Sequence, residues 1–258
     1  HSFPTRRSSD LLEALKRVAE NFVSSNKQGE LKGRARQSLL VMATGSGKTR
    51  TAAAMVDMLT KSNWVKRVLF LADRNALVTQ AKNAFNEYLP HLSAIDLTKE
   101  KEDNGTRLVF STYPTIMNRI DNVLDGERFY GVGHFDLIIV DEAHRSVYQK
   151  YKAIFSYFDA LLVGLTATPK TDIDHNTYGL FGIEDDNPTF AYELDSAVRD
   201  GFLVPPKAIS VPLKFIREGV HYHQLSEREK LEYEEKFGDP TNDDVPDEID
   251  SAALNRSE

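Results

Sequence analysis

The stretch SLLVMATGSGKT occupies residues 38–49 and decides the fold of this chain. Its first part, Ser38–Met42, is a short apolar run closed by a glycine-rich turn, which predicts a buried β-strand. From Lys48 to Met58 the chain carries helix formers with apolar residues on one face, which predicts a helix. A strand, a glycine loop and a helix in this order are the context of a phosphate-binding loop. An ordinary turn with an incidental Lys-Thr pair is the alternative.

The residues of this loop suit a bound triphosphate. Gly45 and Gly47 let the backbone curl with its N–H groups toward phosphate oxygens, where side chains would obstruct the approach. The N-terminus of the following helix adds partial positive charge. We expect Lys48 to hold the β- and γ-phosphates of ATP and the Thr49 hydroxyl to bind Mg²⁺. The predicted nucleotide-binding residues are Thr44, Gly45, Ser46, Gly47, Lys48 and Thr49.

A second apolar run, Leu137–Val140, ends in the carboxylates Asp141 and Glu142. Its continuous apolar character is typical of a central parallel strand that is covered on both faces. The carboxyl ends of such strands form the edge at which α/β proteins bind ligands. We expect Asp141 to hold Mg²⁺ through water and Glu142 to polarise the attacking water as general base. Alone, the acidic pair is equally compatible with a solvated turn.

A third apolar run, residues 160–165, ends in Thr166-Ala167-Thr168-Pro169. Hydroxyls at the tip of a strand can relay hydrogen bonds between a nucleotide site and a neighbouring surface. Without the other two motifs, this segment would be interpreted as an ordinary end of a strand.

Strand-like and helix-like segments alternate along the chain. The predicted strands are 38–42, 67–72, 107–111, 136–140, 160–165 and 207–214, and the predicted helices are 11–23, 48–61, 75–88, 113–124, 146–158, 192–200 and 225–236. This alternation predicts an α/β fold, a mostly parallel sheet with helices on both faces. Asp10 and Glu13 predict a capping box for a helix that begins at Leu11.

Three motifs in this order, ATGSGKT, DEAH and LTATP, resemble motifs I, II and III of superfamily 2 helicases and translocases. The continuation DEAHRS and the variant GLTATP favour the branch with restriction-enzyme motor subunits and excision-repair helicases over the RNA helicases. Residues 70–81 and 109–118 resemble motifs Ia and Ib. The downstream stretches 176–182, 192–205 and 214–219 resemble the restriction (R) subunit of type I restriction-modification enzymes.

The resemblance implies the first motor lobe of such an enzyme. Its fold is the RecA-like P-loop NTPase domain, its cofactors are ATP and Mg²⁺, and its ATP hydrolysis is coupled to movement on double-stranded DNA. Lys48 and Glu142 are then the catalytic residues, and His144 couples the ATP site to Thr166 and Thr168. The implied partners are double-stranded DNA and the modification and specificity subunits of a restriction-modification complex.

Four residues in the two middle motifs are candidates for nucleic-acid contacts. They are Arg74, Gln80, Thr112 and Tyr113, which follow strand ends and flank the starts of helices. Cationic and hydroxyl side chains and helix N-termini suit contacts to phosphates, which a motor needs at any sequence. Gln80 and Tyr113 are also compatible with helix capping or packing.

The chain departs from the family pattern at both ends. Residues 1–10 lack the glutamine that reads adenine in the family, and motifs IV to VI, which include an arginine that stabilises the transferred phosphoryl group, are absent. We therefore expect the chain alone to bind ATP and Mg²⁺ but to hydrolyse ATP slowly. The alternatives are a stand-alone nucleotide-binding module and another DEAH-type DNA helicase, of the excision-repair or type III restriction kind.

Charge is distributed unevenly over the 258 residues. The net charge is −7, but residues 217–258 hold 5 basic and 13 acidic residues, so that the rest of the chain is close to neutral. We expect residues 1–10 to be a disordered or non-native leader, 11–215 the motor lobe, and 216–258 an acidic helix and linker toward a second lobe. The absence of cysteine and of long apolar stretches favours a cytoplasmic protein without a membrane partner.

Overall fold

The computed structural model describes residues 7–25, 31–121, 123–124, 127–142, 145–168, 170–173, 175–205, 220–224, 230 and 248–249. The chain divides into two compact units, His1–Pro205 and Pro206–Glu258. The helices of the first unit are α1 (Arg7–Phe22), α2 (Lys48–Lys61), α3 (Asn75–Tyr88), α4 (Tyr113–Asp121), α5 (Arg145–Tyr157), α6 (His175–Leu180) and α7 (Leu194–Arg199).

Its strands are β1 (Val23–Ser25), β2 (Leu31–Gly33), β3 (Gln37–Met42), β4 (Val68–Ala72), β5 (Ala94–Asp96), β6 (Leu108–Thr112), β7 (Val123–Leu124), β8 (Glu127–Arg128), β9 (Leu137–Asp141), β10 (Leu161–Thr166) and β11 (Phe190–Tyr192). In the second unit, β12 (Val220–His221) pairs antiparallel with β13 (Glu248–Ile249).

Seven strands of the first unit form one sheet in the order β11-β3-β10-β9-β4-β6-β5. Every neighbouring pair in this sheet is parallel. The pairs β1–β2 and β7–β8 form separate antiparallel ribbons. The predicted parallel α/β architecture is therefore confirmed.

The sheet is covered on both faces. Alternate residues of each central strand point to opposite sides, and both sets are buried. Leu40, Phe70 and Phe110 belong to a buried cluster that includes residues of α1, α2 and α3. Their sequence neighbours Leu39 and Leu69 belong to a second buried cluster that includes residues of α4, α5 and α6. This double burial explains why these strands are apolar throughout and why the sequence predicted them well.

Several predicted boundaries are wrong. Helix α1 begins at Arg7 rather than at Leu11, so Asp10 lies inside its first turn. The Glu13 carboxylate accepts a hydrogen bond from Arg17 Nε at 2.7 Å, as an i,i+4 pair, and does not form the predicted capping box. The prediction missed β5, β11 and α6, which are three to six residues long. The first compact unit is His1–Pro205, and the lobe boundary at residue 215 stays a prediction.

Two further predicted elements fall outside the described residues. They are the strand at 207–214 and, apart from Lys230, the helix at 225–236. Within the part of the chain that the structure describes, no helix combines the length and the apolar character that crossing a membrane requires.

Gly164 lies in the middle of β10 where the ring of Phe181 packs against the strand. A Cβ atom at this position would lie 2.3 Å from Phe181 Cζ and 2.9 Å from Leu39 Cδ1. We expect Gly164→Ala to lower the free energy of unfolding by about 1–3 kcal/mol through overpacking, as measured by urea denaturation. Gly179→Ala is the matched control, because a Cβ there would meet nothing within 4 Å. A Gly164→Ala protein as stable as the control would contradict this packing.

Candidate nucleotide-binding site

The site lies at the carboxyl edge of three adjacent strands. Strand β10 pairs with β3 on one side and with β9 on the other, so that their ends meet. The loop from Ala43 to Gly47 follows β3 and leads directly into α2. Asp141 ends β9 beside Leu165, its partner on β10. The parallel sheet thereby brings together the three motifs that are far apart in sequence.

The phosphate loop has the backbone that its glycines predict. Gly45 and Gly47 adopt φ angles of +80° and +105°, in the left-handed region that favours glycine. The Ser46 hydroxyl donates to the Ala43 carbonyl at 2.7 Å, and the Ser46 amide donates to the same oxygen at 3.1 Å. These bonds close the turn internally. Among the described residues no side chain caps α2, whose N-cap residue is Gly47, so its first amides are available to an anion.

The two predicted catalytic residues form an ion pair. Lys48 Nζ lies 2.7 Å from Glu142 Oε1, and their side chains are 14% and 37% exposed. Glu142 has a φ angle of +53°, which is uncommon for a residue other than glycine. Strained backbone of this kind often marks a functional position. The pair joins the start of α2 to the end of β9.

Asp141 is a partly buried carboxylate next to this pair. Burial raises its pKa, the neighbouring charge of Glu142 raises it further, and the ammonium group of Lys48 lowers it. Its negative charge is thus incompletely compensated by the protein. Together with the Thr49 hydroxyl it supplies oxygen ligands, which Mg²⁺ prefers, so the residues present fit this cation.

All these groups line one cavity of about 490 Å³, a size in the usual range for ligand sites. The lining includes the six predicted nucleotide-binding residues, Asp141 and Glu142. It also includes residues that the sequence analysis did not predict, among them Asp10, Leu11, Tyr88, Tyr192 and Phe202. Only the structure shows that these distant residues converge on the phosphate loop.

Among these additional residues, Tyr192 is held by both its backbone and its side chain. It ends β11 opposite Met42, and its carbonyl oxygen accepts a hydrogen bond from the Ala43 amide at 3.0 Å. Its hydroxyl donates to Asp200 Oδ2 at 3.0 Å. Burial, together with this bond and the nearby Asp10 carboxylate, raises the pKa of Tyr192 well above its usual value. The sequence analysis placed Tyr192 at the start of a predicted helix, and it gave no signal that this residue ends a strand beside the phosphate loop.

The coupling residues are partly described. Thr166 is buried at the end of β10, and its Oγ1 accepts a hydrogen bond from the Thr168 amide at 3.1 Å. The two threonines therefore form one turn beside Asp141. His144 lies outside the described residues, so its link to this turn stays a prediction.

The four candidates for nucleic-acid contacts differ in exposure and surroundings. Arg74 is exposed at the start of α3, with Nε 3.7 Å from Asp73 Oδ2. Thr112 is almost fully buried, and its Oγ1 lies 3.0 Å from Thr115 Oγ1. Gln80 lines the nucleotide cavity. Arg74 alone of the four thus presents an exposed side chain away from that cavity.

The side chain of Tyr113 is buried, and its predicted nucleic-acid contact stays a prediction. Its ring is completely buried and stacks on Tyr151 at a centroid distance of 5.0 Å. Its hydroxyl donates to the backbone oxygen of Asp141 at 3.4 Å. The residue follows β6 directly and turns into the core beneath β9, so it supports the acidic end of that strand by packing.

Comparisons with known proteins agree with this geometry. The family described as "Type III restriction enzyme, res subunit" matches residues 9–171. The EcoKI type I endonuclease subunit of Escherichia coli strain K12 is 32% identical over 92% of this chain. The EcoAI type I endonuclease subunit of Escherichia coli is 38% identical over 70%. The chain spans 21% and 22% of the lengths of these two relatives.

Among solved structures, a fragment assigned to the HsdR subunit of a type I restriction enzyme from Vibrio vulnificus YJ016 has the same fold. It superposes with a TM-score of 0.53 at 26% identity, over 80% of this chain and 33% of that one. The resemblance to restriction-enzyme motor subunits is therefore confirmed. The protein belongs to the ResIII family of restriction-enzyme res subunits, and it is similar to the endonuclease subunits of type I restriction enzymes.

Proposed function

We propose that the chain is the ATP-binding motor lobe of a DNA translocase, akin to a type I restriction endonuclease subunit. ATP hydrolysis would drive its movement on double-stranded DNA. The observation that carries this proposal is the convergence of Lys48, Glu142 and Asp141 in one cavity beside the phosphate loop. A location in the cytoplasm and association with modification and specificity subunits are further parts of the proposal.

The residues of the cavity suggest a division of labour. The loop amides and Lys48 would bind the phosphates, while Thr49 and Asp141 would hold Mg²⁺, which neutralises charge that develops on the phosphates. A bound triphosphate would compete with Glu142 for the Lys48 ammonium. Once released from Lys48, the Glu142 carboxylate would be available to accept a proton from the attacking water. The ion pair thus gives a reason why nucleotide binding would prepare the base.

Glu142→Gln and Lys48→Ala test these roles. Glu142→Gln should retain or tighten ATP binding, because it removes the competing carboxylate, and should lower hydrolysis about 10²–10⁴-fold. Lys48→Ala should weaken ATP binding roughly a hundredfold, because charge-assisted bonds to phosphate are lost. Affinity is measured with a fluorescent ATP analogue, and hydrolysis by phosphate release in the full-length protein with duplex DNA.

Matched controls alter exposed ion pairs elsewhere. Glu13→Gln removes the partner of Arg17, and Lys61→Ala removes the partner of Asp57. Neither control should change ATP binding. Normal hydrolysis by Glu142→Gln would exclude the base role. Strong DNA-stimulated turnover by the 258-residue chain alone would contradict our proposal that this chain binds ATP but hydrolyses it slowly.

Arg74→Ala tests the proposed DNA surface. The exposed guanidinium at the start of α3 suits a phosphate contact, so its removal should weaken duplex binding. The slope of log affinity against log salt concentration should become shallower by about 1, since one phosphate contact is lost. Arg17→Ala, another exposed arginine with a carboxylate partner, is the control. Tyr113→Phe should bind DNA as the parent does, because the ring is buried. DNA binding is measured by fluorescence anisotropy over a salt series. If the chain binds ATP but no DNA, the stand-alone nucleotide module becomes the better interpretation.

A further inference from the structure

A second concave, charged region lies at the opposite edge of the sheet from the nucleotide cavity. The turns that precede β4, β6 and β9 surround a cavity of about 300 Å³. Its lining is Lys66, Arg67, Asn104, Thr106, Arg107, Gly133, His134 and Asp136. Since the strands are parallel and five residues long, this edge is separated from the phosphate loop by roughly 15 Å. The two cavities are therefore distinct.

Three cations dominate this amino-edge cavity. Among the residues that the structure describes, no carboxylate forms an ion pair with the side chains of Lys66, Arg67 or Arg107. The carboxylate of Asp136 accepts hydrogen bonds from the backbone amides of Lys66 and Arg67, at 2.7 and 2.9 Å, through one oxygen. It thus braces the turn, and the lining holds three cationic side chains against this one carboxylate. The nearby carboxylates of Asp103 and Glu102 are engaged with Thr106 and His134.

Each of the two guanidinium groups makes one contact to a backbone carbonyl. Arg67 Nη2 donates to the Asn104 carbonyl at 3.3 Å, and Arg107 Nη1 donates to the Lys66 carbonyl at 3.4 Å. Each contact uses a single N–H of the five that a guanidinium carries. The residues that follow them, Val68 and Leu108, are paired across β4 and β6. The backbones of the two arginines therefore lie about 4.8 Å apart, one residue before neighbouring strands.

The turn at residues 103–106, which precedes Arg107, is braced by hydrogen bonds of its own. Asp103 Oδ1 accepts from the Gly105 amide at 2.8 Å and from the Thr106 hydroxyl at 2.9 Å. The Ser93 hydroxyl donates to the Gly105 carbonyl at 2.6 Å and accepts from the Arg107 amide at 3.0 Å. Such bracing lowers the entropy that a ligand would have to remove on binding.

We infer that this amino-edge cavity binds a phosphate-class anion through Lys66, Arg67 and Arg107, independently of the ATP site. Two guanidinium groups carried by neighbouring backbone positions suit the fork geometry with which arginine binds phosphate. The phosphate belongs either to the backbone of a nucleic acid or to a small phosphate such as pyrophosphate. On a DNA translocase lobe, backbone phosphate here would hold nucleic acid on the side away from the ATP cavity.

The test uses the 258-residue chain with excess ADP and Mg²⁺ to fill the first site. Backbone amide shifts are followed by two-dimensional NMR during titration with pyrophosphate and, separately, with a short DNA duplex. Shifts at residues 66–67 and 104–107 are expected with at least one of them. Lys66→Gln combined with Arg107→Gln should weaken this binding by roughly tenfold or more.

Arg36→Gln is the matched control, since Arg36 also precedes a strand at this edge but is paired with Asp159 at 2.6 Å. It should bind like the parent chain. Lys66→Gln alone is a second variant, because the Lys66 contacts seen here are made by its backbone. It should keep the fold and still weaken binding. Response to DNA identifies backbone phosphate, and response to pyrophosphate alone identifies a small phosphate. No shifts at these amides with either ligand, or unchanged binding in both variants, would overturn the inference.

Discussion

The parallel alignment of β3, β10 and β9 is the constraint on which the candidate site depends. Parallel neighbours put all their carboxyl ends at one edge. The phosphate loop and the acidic pair meet at this edge, although Lys48 and Glu142 are 94 residues apart in the sequence. Burial of both faces of these strands holds the alignment, because a slip of one residue would exchange the two core faces.

The ion pair between Lys48 and Glu142 contributes to positioning more than to stability. Partly exposed pairs contribute about 0–1 kcal/mol, since desolvation and lost side-chain entropy offset the attraction. The carboxylate is more than a third exposed and sits on left-handed backbone, which costs free energy. Neighbouring Asp141 is also held against its preference, because burial disfavours its charge. Strained backbone and a buried charge both cost free energy of folding, so this site is arranged to bind a ligand rather than to stabilise the fold.

The sequence predicted well those elements whose signals are local. The bounds of α2 and α3 were predicted to the residue, and five central strands within one residue at each end. In each case a continuous apolar run or a glycine turn gave a clear signal. Short elements such as β5 and β11 gave none, since three residues show no periodicity. The burial of Tyr113 could not be predicted, because exposure depends on what packs over a residue, here β9 and Tyr151.

The cavity beyond the phosphate loop was unpredictable for a related reason. Asp10, Tyr88 and Tyr192 come together only through the order of strands and helices, which no local pattern encodes. The predicted DNA contacts are an intermediate case. A position after a strand predicts at which edge of the sheet a residue lies, but not whether its side chain reaches solvent.

Strand β11 has a consequence for where this lobe can be divided. The family match ends at residue 171, whereas Phe190–Tyr192 supply the outer neighbour of β3. A polypeptide cut at the end of the match would turn β3 into an edge strand. The backbone groups that now bond to β11, including the Ala43 amide, would then be open to pairing with other chains. The segment that matches the family is therefore shorter than the smallest polypeptide in which β3, the strand that leads into the phosphate loop, keeps a neighbour on both sides.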